Sequence, residues 1–121
     1  MKKRFISRIF AAMVLGLATL ITPPSRSQDS PRRIEVTAKR FTYDPAEITL
    51  KKGEPVVLVI KSADVAHGLN IRELKIDVKV AAGETAEVQV APQKNGTFVG
   101  HCTVFCGAGH ASMKLTVHVV N

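Results

Sequence analysis

The chain has 121 residues, of which 45% are hydrophobic and 22% are charged, and this is the size and balance of one globular domain. Its formal net charge of +7 would favour a nucleic acid or an anionic membrane as a partner if the charge were concentrated. Five of the 17 lysines and arginines lie in the first 27 residues, however, so the other twelve face all 10 acids and the remaining chain is only +2. Length and charge therefore exclude a second domain and argue against a nucleic-acid-binding protein.

The N-terminus has the three parts of a secretory signal. It begins Met1-Lys2-Lys3-Arg4, continues with an apolar run over residues 9–21, and ends with small residues at Ser25 and Ser27. We predict a signal peptide over residues 1–27, cleaved before Gln28, and a flexible lead-in over residues 28–33. An uncleaved anchor is the alternative, although the run is short of the about 20 apolar residues that a spanning helix needs. We expect an exported protein, periplasmic or extracytoplasmic, that contacts the membrane only if this segment is retained.

From residue 34 onward, apolar residues alternate with polar ones, which is typical of half-buried strands. Glycines at positions 53, 83 and 96 separate the alternating segments, and Asn95-Gly96 is typical of a hairpin. No segment has a convincing helical pattern. The sequence predicts an all-β, antiparallel sandwich as a single domain over residues 34–121. The apolar positions of its strands are Ile34, Val36 and Ala38; Val56, Leu58 and Ile60; Ile76, Val78 and Val80; Ala86, Val88 and Val90; and Leu115, Val117 and Val119.

Residues 102–113 concentrate the chemistry of the chain, because they hold two thiols, an imidazole and a thioether within twelve positions. They lie between two predicted strands, residues 97–102 and 113–120, and so form a loop at one end of the sandwich. Sulfur and imidazole ligands together favour copper among the first-row metals. A rigid β scaffold suits a redox metal, because fixed ligands lower the reorganisation that accompanies each electron transfer. Small residues let the loop fold tightly around an ion: Gly107, Ala108, Gly109, Ala111 and Ser112.

The order of these ligands resembles a known family. The pattern Cys-x3-Cys-x3-His-x2-Met, preceded by Asp64-Val65-x-His67-Gly68, resembles the binuclear copper A domain of cytochrome c oxidase subunit II and of nitrous oxide reductase. The likeness runs from Phe41-x-Tyr43-x-Pro45 to Val120, about two thirds of the chain. It implies a cupredoxin-like Greek-key β-sandwich with the metal loop between the last two strands.

Carried over to this chain, the resemblance implies a mixed-valence centre of two copper ions. Cys102 and Cys106 would bridge the ions, and His67 and His110 would each bind one of them. Asp64 would steady the loop that presents His67. The resemblance also implies electron transfer with a redox partner, either a cytochrome c-like donor or an oxidase acceptor. The implied metal ligands are His67, Cys102, the backbone carbonyl of Val104, Cys106, His110 and Met113.

The chain departs from the oxidase pattern in two ways. It contains no tryptophan, whereas oxidase subunits usually carry a tryptophan-rich segment where electrons enter, and it lacks their N-terminal helix hairpin. These differences favour a free periplasmic carrier or an accessory domain. The implied ligands leave no open position for a substrate, and no catalytic motif is present, so we expect a carrier that is not an enzyme by itself but could be a subunit II-like module of a terminal oxidase.

Other readings of the cysteines remain open. An even number of cysteines in an exported protein usually forms disulfides. Zinc could be bound by Cys102, Cys106, His110 and His67, although this leaves Met113 without a role. A mononuclear blue-copper site would leave the second cysteine unexplained. Copper storage or delivery is a further alternative, for which a more exposed and methionine-rich site would be expected.

The remaining histidines and the aromatic residues favour structural roles. His101 is next to Cys102 but should point to the opposite face of its strand, outside the metal site. His118 should lie on the surface. We expect Phe41, Tyr43 and Phe98 to pack in the core or at its rim.

Overall fold

A computed structural model of the chain describes residues 16, 18–24 and 30–121. Most of the predicted signal peptide, with its cleavage site before Gln28, lies outside the described residues. Residues 16 and 18–24 are exposed and have no regular secondary structure. Within the described part of the chain, no helix is long and apolar enough to cross a bilayer.

The described residues form two stacked β-sheets, which confirms the all-β sandwich prediction. One sheet has four strands in the order β2-β1-β4-β7, and the other has five in the order β3-β9-β8-β5-β6. Helical structure in residues 30–121 is limited to two short 3-10 turns, at Arg72–Leu74 and His110–Ser112. The strands are β1 (Arg32–Lys39), β2 (Thr42–Asp44), β3 (Glu47–Lys51), β4 (Val56–Ser62), β5 (His67–Ile71), β6 (Ile76–Val80), β7 (Thr85–Val90), β8 (Gly96–His101) and β9 (Lys114–Val120).

Strand β1 begins two residues before the predicted start of the domain, so the end of the predicted lead-in is strand. The five alternating segments of the sequence all lie in strands, as predicted. Strands β2, β3 and β5, which are three to five residues long, were not predicted from the alternation of apolar residues. The last of these is the strand that begins at His67.

The three glycine turns carry the chain from one sheet to the other. Gly53 connects β3 to β4 and Gly83 connects β6 to β7, and both have a left-handed backbone, with φ of 77° and 71°. Such a conformation favours glycine because a Cβ atom would be strained there. The hairpin predicted at Asn95-Gly96 is wrong, because β7 and β8 belong to different sheets.

The purely antiparallel arrangement predicted for the strands is also wrong. Strand β1 pairs with β4 in parallel, and β3 pairs with β9 in parallel. Between the two strands of each pair the chain visits the opposite sheet, through β3 in the first case and through β4 and β7 in the second, and then returns in the same direction. The alternation of apolar residues has a period of two in both kinds of pairing, so the sequence pattern does not distinguish them.

The hydrophobic core between the sheets extends into the metal loop. Strand β4 is central in its sheet, and all of its residues except Lys61 are buried. At one end of the sandwich the core includes Cys102, Cys106 and Met113, which pack with the aliphatic residues of both sheets. The loop between β8 and β9 therefore closes the end of the core, and its two cysteines and Met113 are buried by the same packing that stabilises the fold.

Candidate metal centre

Three strand ends bring the predicted ligands together. Strand β5 begins at His67, β8 ends at His101, and β9 begins just after Met113. Because β8 is antiparallel to both β5 and β9, these three ends lie at the same edge of the five-stranded sheet. A histidine 35 residues away from Cys102 in the sequence is thereby placed beside the cysteine loop.

The two cysteine sulfurs lie at the middle of the site. Both residues are free thiols that are 6% and 5% exposed, and their Sγ atoms are 3.9 Å apart. His67 Nδ1 is 4.0 Å from the Sγ of Cys102, and His110 Nδ1 is 3.8 Å from the Sγ of Cys106. The ligand atoms of His67, Cys102 and Cys106 all lie within 4.8 Å of one another.

Two weaker donors complete the surroundings of the sulfurs. The backbone oxygen of Val104 is 3.1 Å from Cys102 Sγ. The Sδ atom of Met113, which is fully buried, is 3.9 Å from Cys106 Sγ. All six predicted ligands are thus gathered around one sulfur pair.

These separations fit donors that share a metal ion. Two nitrogen or sulfur ligands of one tetrahedral ion, each about 2.0 to 2.3 Å from it, are roughly 3.3 to 3.8 Å from each other. The observed sulfur–sulfur and sulfur–nitrogen distances, 3.8 to 4.0 Å, are close to that spacing. Burial, together with the neighbouring Cys102, raises the pKa of the Cys106 thiol. A cation among these atoms would offset the cost of ionising two buried thiols, so the donor set fits a soft metal.

Asp64 orients the His67 imidazole. Its Oδ1 atom lies 2.6 Å from His67 Nε2, so the other ring nitrogen, Nδ1, faces the sulfurs. The backbone N–H of Arg40 and the His67 ring lower the pKa of Asp64 to about 2, with help from the N–H of Val65. The carboxylate is therefore ionised at neutral pH, and it holds His67 as carboxylates commonly hold metal-binding histidines.

Gly68 connects the strand of His67 to the thiols and to the core. Strand β8 ends before it reaches Gly68, so β8 offers no backbone partner for the N–H and C=O of Gly68. Both groups bond to side chains instead. Its N–H donates to Cys102 Sγ at 3.5 Å, and its carbonyl accepts from the buried hydroxyl of Tyr43. Burial and the nearby Cys102 raise the pKa of Tyr43. A Cβ atom on Gly68 would overlap the hydroxyl of Thr103 and lie 3.3 Å from the backbone nitrogen of that residue, so this close approach favours glycine.

Phe41 covers the outer part of the metal loop. Its ring packs against Gly107 and Gly109, and a Cβ atom at either position would lie within 3.0 Å of it. Phe105 is instead 78% exposed, and its ring centroid is 5.6 Å from that of His110. The loop thus has a covered side that faces Phe41 and a solvent side where Phe105 projects beside His110.

The other two histidines are not among the groups around the sulfurs, and the aromatic residues pack as predicted. His101 is exposed, as predicted. His118 lies on the outer face of its sheet, 3.1 Å from Thr97 Oγ1 and 3.5 Å from Glu47. Tyr43 is buried, and two phenylalanines pack at the rim of the core, as predicted: Phe41 and Phe98.

Sequence reasoning did not identify Arg40 as part of the site. Its backbone N–H donates to Asp64 Oδ2 at 2.8 Å, and its side-chain Nε donates to the carbonyl of Cys106 at 3.0 Å. These contacts span 24 and 66 residues of the sequence, and a lone arginine after a strand gives no local indication of them.

Comparison with known proteins gives consistent matches. The family model described as a cupredoxin-like domain matches residues 10–117. The chain is 34% identical over 86 residues to a cytochrome c oxidase subunit 2 of Thermus thermophilus, covering 71% of this chain and 64% of that protein. It is 35% identical over 85 residues to the nitrous-oxide reductase of Ralstonia nicotianae, covering 67% of this chain and 13% of the reductase. The chain therefore corresponds to only part of each relative.

A solved structure shows the same fold. The periplasmic domain of subunit II of cytochrome oxidase from Bradyrhizobium japonicum superposes with a TM-score of 0.68 at 20% sequence identity. The match covers 74% of this chain and 84% of that domain.

Proposed function

The chain belongs to the cupredoxin-like domain family, and from this premise we propose that it is an exported electron-transfer protein with a binuclear copper A-type centre. The similar proteins imply copper, and the cluster of one histidine and two cysteines is compatible with a metal site. The observation that carries the proposal is the pair of buried free thiols, 3.9 Å apart, with further donors next to each sulfur.

The proposed ligands have different roles in binding the two ions. Cys102 and Cys106 would hold both ions through their thiolates, and His67 and His110 would each hold one of them. The bound copper pair supplies reversible uptake of one electron. The protein keeps the donors in fixed positions, so that little rearrangement accompanies each transfer. The proposed set is His67, Cys102, the backbone carbonyl of Val104, Cys106, His110 and Met113, with Asp64 orienting His67.

The geometry favours two copper ions over the other metal readings. A mononuclear copper site uses one thiolate, whereas both thiols here are surrounded by donors. A tetrahedral zinc site built from the two cysteines and two histidines would leave the Met113 sulfur and the Val104 oxygen unused. Copper delivery to another protein calls for an accessible site, but Met113 and His67 are both fully buried. These contrasts support a carrier that retains its metal.

We further propose how the protein is placed in the cell. Residues 1–27 would export the chain and residues 34–121 would form the copper-binding domain in the periplasm. Its redox partners would be a cytochrome c-like donor or an oxidase acceptor, as expected for a module similar to oxidase subunit II. We propose no catalytic role for the chain by itself, because the ligand set leaves no open coordination position for a substrate.

Replacing each cysteine tests the two-copper site. We expect about two copper ions per chain in the freshly reduced protein. Both Cys102→Ser and Cys106→Ser should lose this stoichiometry, because each thiolate would bind both ions. Thr103→Ser is the matched control, because Thr103 is an exposed residue of the same loop that is not among the proposed ligands. Metal analysis after removal of loosely bound copper gives the answer. Full copper content in both serine variants would rule out the bridging role.

A further inference from the structure

Arg40 lies between the two segments that carry the proposed ligands. It follows β1 directly, and its exposed side chain runs along the surface past Gly107. A shallow surface depression beside the metal loop is lined by Arg40 together with Val65, Ala66, Phe105, Cys106 and Gly107. Arg40 is thus the cationic residue of a depression whose other walls are uncharged.

Two hydrogen bonds from this one residue join the ligand segments. The backbone N–H reaches Asp64, which in turn holds His67. The guanidinium Nε reaches the carbonyl of Cys106. Arg40 therefore adds a link between the His67 segment and the Cys106 loop, beside the contact of Gly68 with Cys102.

The charge of Arg40 also acts on the site. Among the described residues, no carboxylate lies within 4.0 Å of its guanidinium, in contrast to Arg32 and Arg33, which pair with Glu54 and Glu87. Its Nε atom lies 3.0 Å from the carbonyl oxygen of Cys106, so the positive charge lies directly beside the metal loop. A fixed positive charge favours whichever state of a neighbouring centre has more negative charge, and in a redox centre that is the reduced state.

We propose that Arg40 is a positioning residue of the metal centre, which clamps the His67 segment to the Cys106 loop and favours the reduced state of bound copper through its charge. The clamp is a property of the protein alone. The effect on the reduced state rests on the proposed function.

Two substitutions separate the hydrogen bond from the charge. Arg40→Gln removes the charge and the guanidinium, and Arg40→Lys keeps the charge but loses the guanidinium. Both retain the backbone N–H that holds Asp64. Arg72→Gln is the matched control, because Arg72 is an exposed arginine at the end of β5 opposite to His67.

The clamp is measured first, by hydrogen–deuterium exchange of the copper-free full chain. Loss of one hydrogen bond of ordinary net strength should speed exchange in residues 103–112 by about fivefold in both Arg40 variants. The control should exchange like the wild type. Unchanged exchange in both Arg40 variants would overturn the clamp.

The charge is measured second, by the midpoint potential of the copper-loaded chain. We expect a lower potential in Arg40→Gln, a retained potential in Arg40→Lys, and a smaller difference between them at high ionic strength, because an exposed charge is screened. Equal potentials in Arg40→Gln and Arg72→Gln would overturn the role of the charge. A wild type that takes up no copper would contradict the proposed function instead, and the exchange measurement would still decide the clamp.

Discussion

The hydroxyl of Tyr43 provides a test of how the core supports the site. Tyr43 is 2% exposed, and its hydroxyl donates to the carbonyl of Gly68, the residue whose N–H reaches Cys102 Sγ. Tyr43→Phe keeps the packed ring but leaves this buried carbonyl without its donor. An unpaired buried polar group costs about 1–3 kcal/mol, so we expect the free energy of unfolding of the copper-free protein to fall by about that amount.

Urea unfolding at neutral pH measures this change, and the denaturant slope should stay constant because the exposed surface does not change. Thr97→Val is the matched control. It removes a hydroxyl that bonds to His118 on the outer face of the sheet, where a substitution changes stability by about 0.5 kcal/mol or less. Tyr43→Phe should still bind copper, since every proposed ligand remains. A loss of stability no larger than that of the control would refute the argument that Gly68 depends on Tyr43.

Further substitutions test other parts of the site. Met113→Leu conserves volume at a fully buried position, so the copper-free protein should lose less than about 1.5 kcal/mol in urea unfolding. The same variant should show an altered copper spectrum, and loss of all copper would contradict a weak thioether ligand. Gly109→Ala places a methyl group against Phe41 and should lower the free energy of unfolding by about 1–3 kcal/mol, whereas an unchanged value would show that the Phe41 ring moves freely. Because the folded-state pKa of Asp64 is lowered from near 3.8 to about 2, its contribution is present above about pH 4 and is lost as the pH falls towards 2. Asp64→Asn should therefore flatten this part of the stability–pH curve of the copper-free protein, and an identical curve would contradict the lowered pKa.

Strands with an alternating pattern could be predicted from the sequence, and the others could not. Strand β5 is buried along nearly its whole length, with the burial of His67, Gly68, Leu69 and Ile71, so it shows no alternation. Strand β2 has three residues, too few to establish a period. Strand β3 does alternate at Ile48 and Leu50, but over five residues only. Burial on both faces and short length thus removed the pattern from which strands are predicted.

The connections between strands could also not be predicted fully from the local sequence. Gly53 and Gly83 occupy the left-handed backbone conformation that a turn demands, and this requirement can be predicted from a glycine that separates two alternating segments. Whether the next strand joins the same sheet depends on long-range pairing. Asn95-Gly96 therefore resembled a hairpin turn, although the chain crosses there to the other sheet.

The candidate metal site could likewise be predicted only in part from the sequence. Cys102, Cys106, His110 and Met113 lie in one loop, so their spacing alone predicted a metal site. The partners that hold this loop in place are distant in the sequence, since Tyr43 is 25 residues from Gly68 and Arg40 is 66 residues from Cys106. Hydrogen bonds of this kind follow from the packing of the two sheets, and they cannot be predicted from the periodicity of the sequence.

Copper analysis combined with the electron paramagnetic resonance spectrum of the reconstituted, freshly reduced and then reoxidised chain decides whether the two thiols hold a pair of copper ions. We expect two copper ions per chain and hyperfine splitting from one unpaired electron shared equally by both nuclei. One copper ion per chain with a single-copper spectrum, or no copper uptake by the reduced thiols, would contradict it.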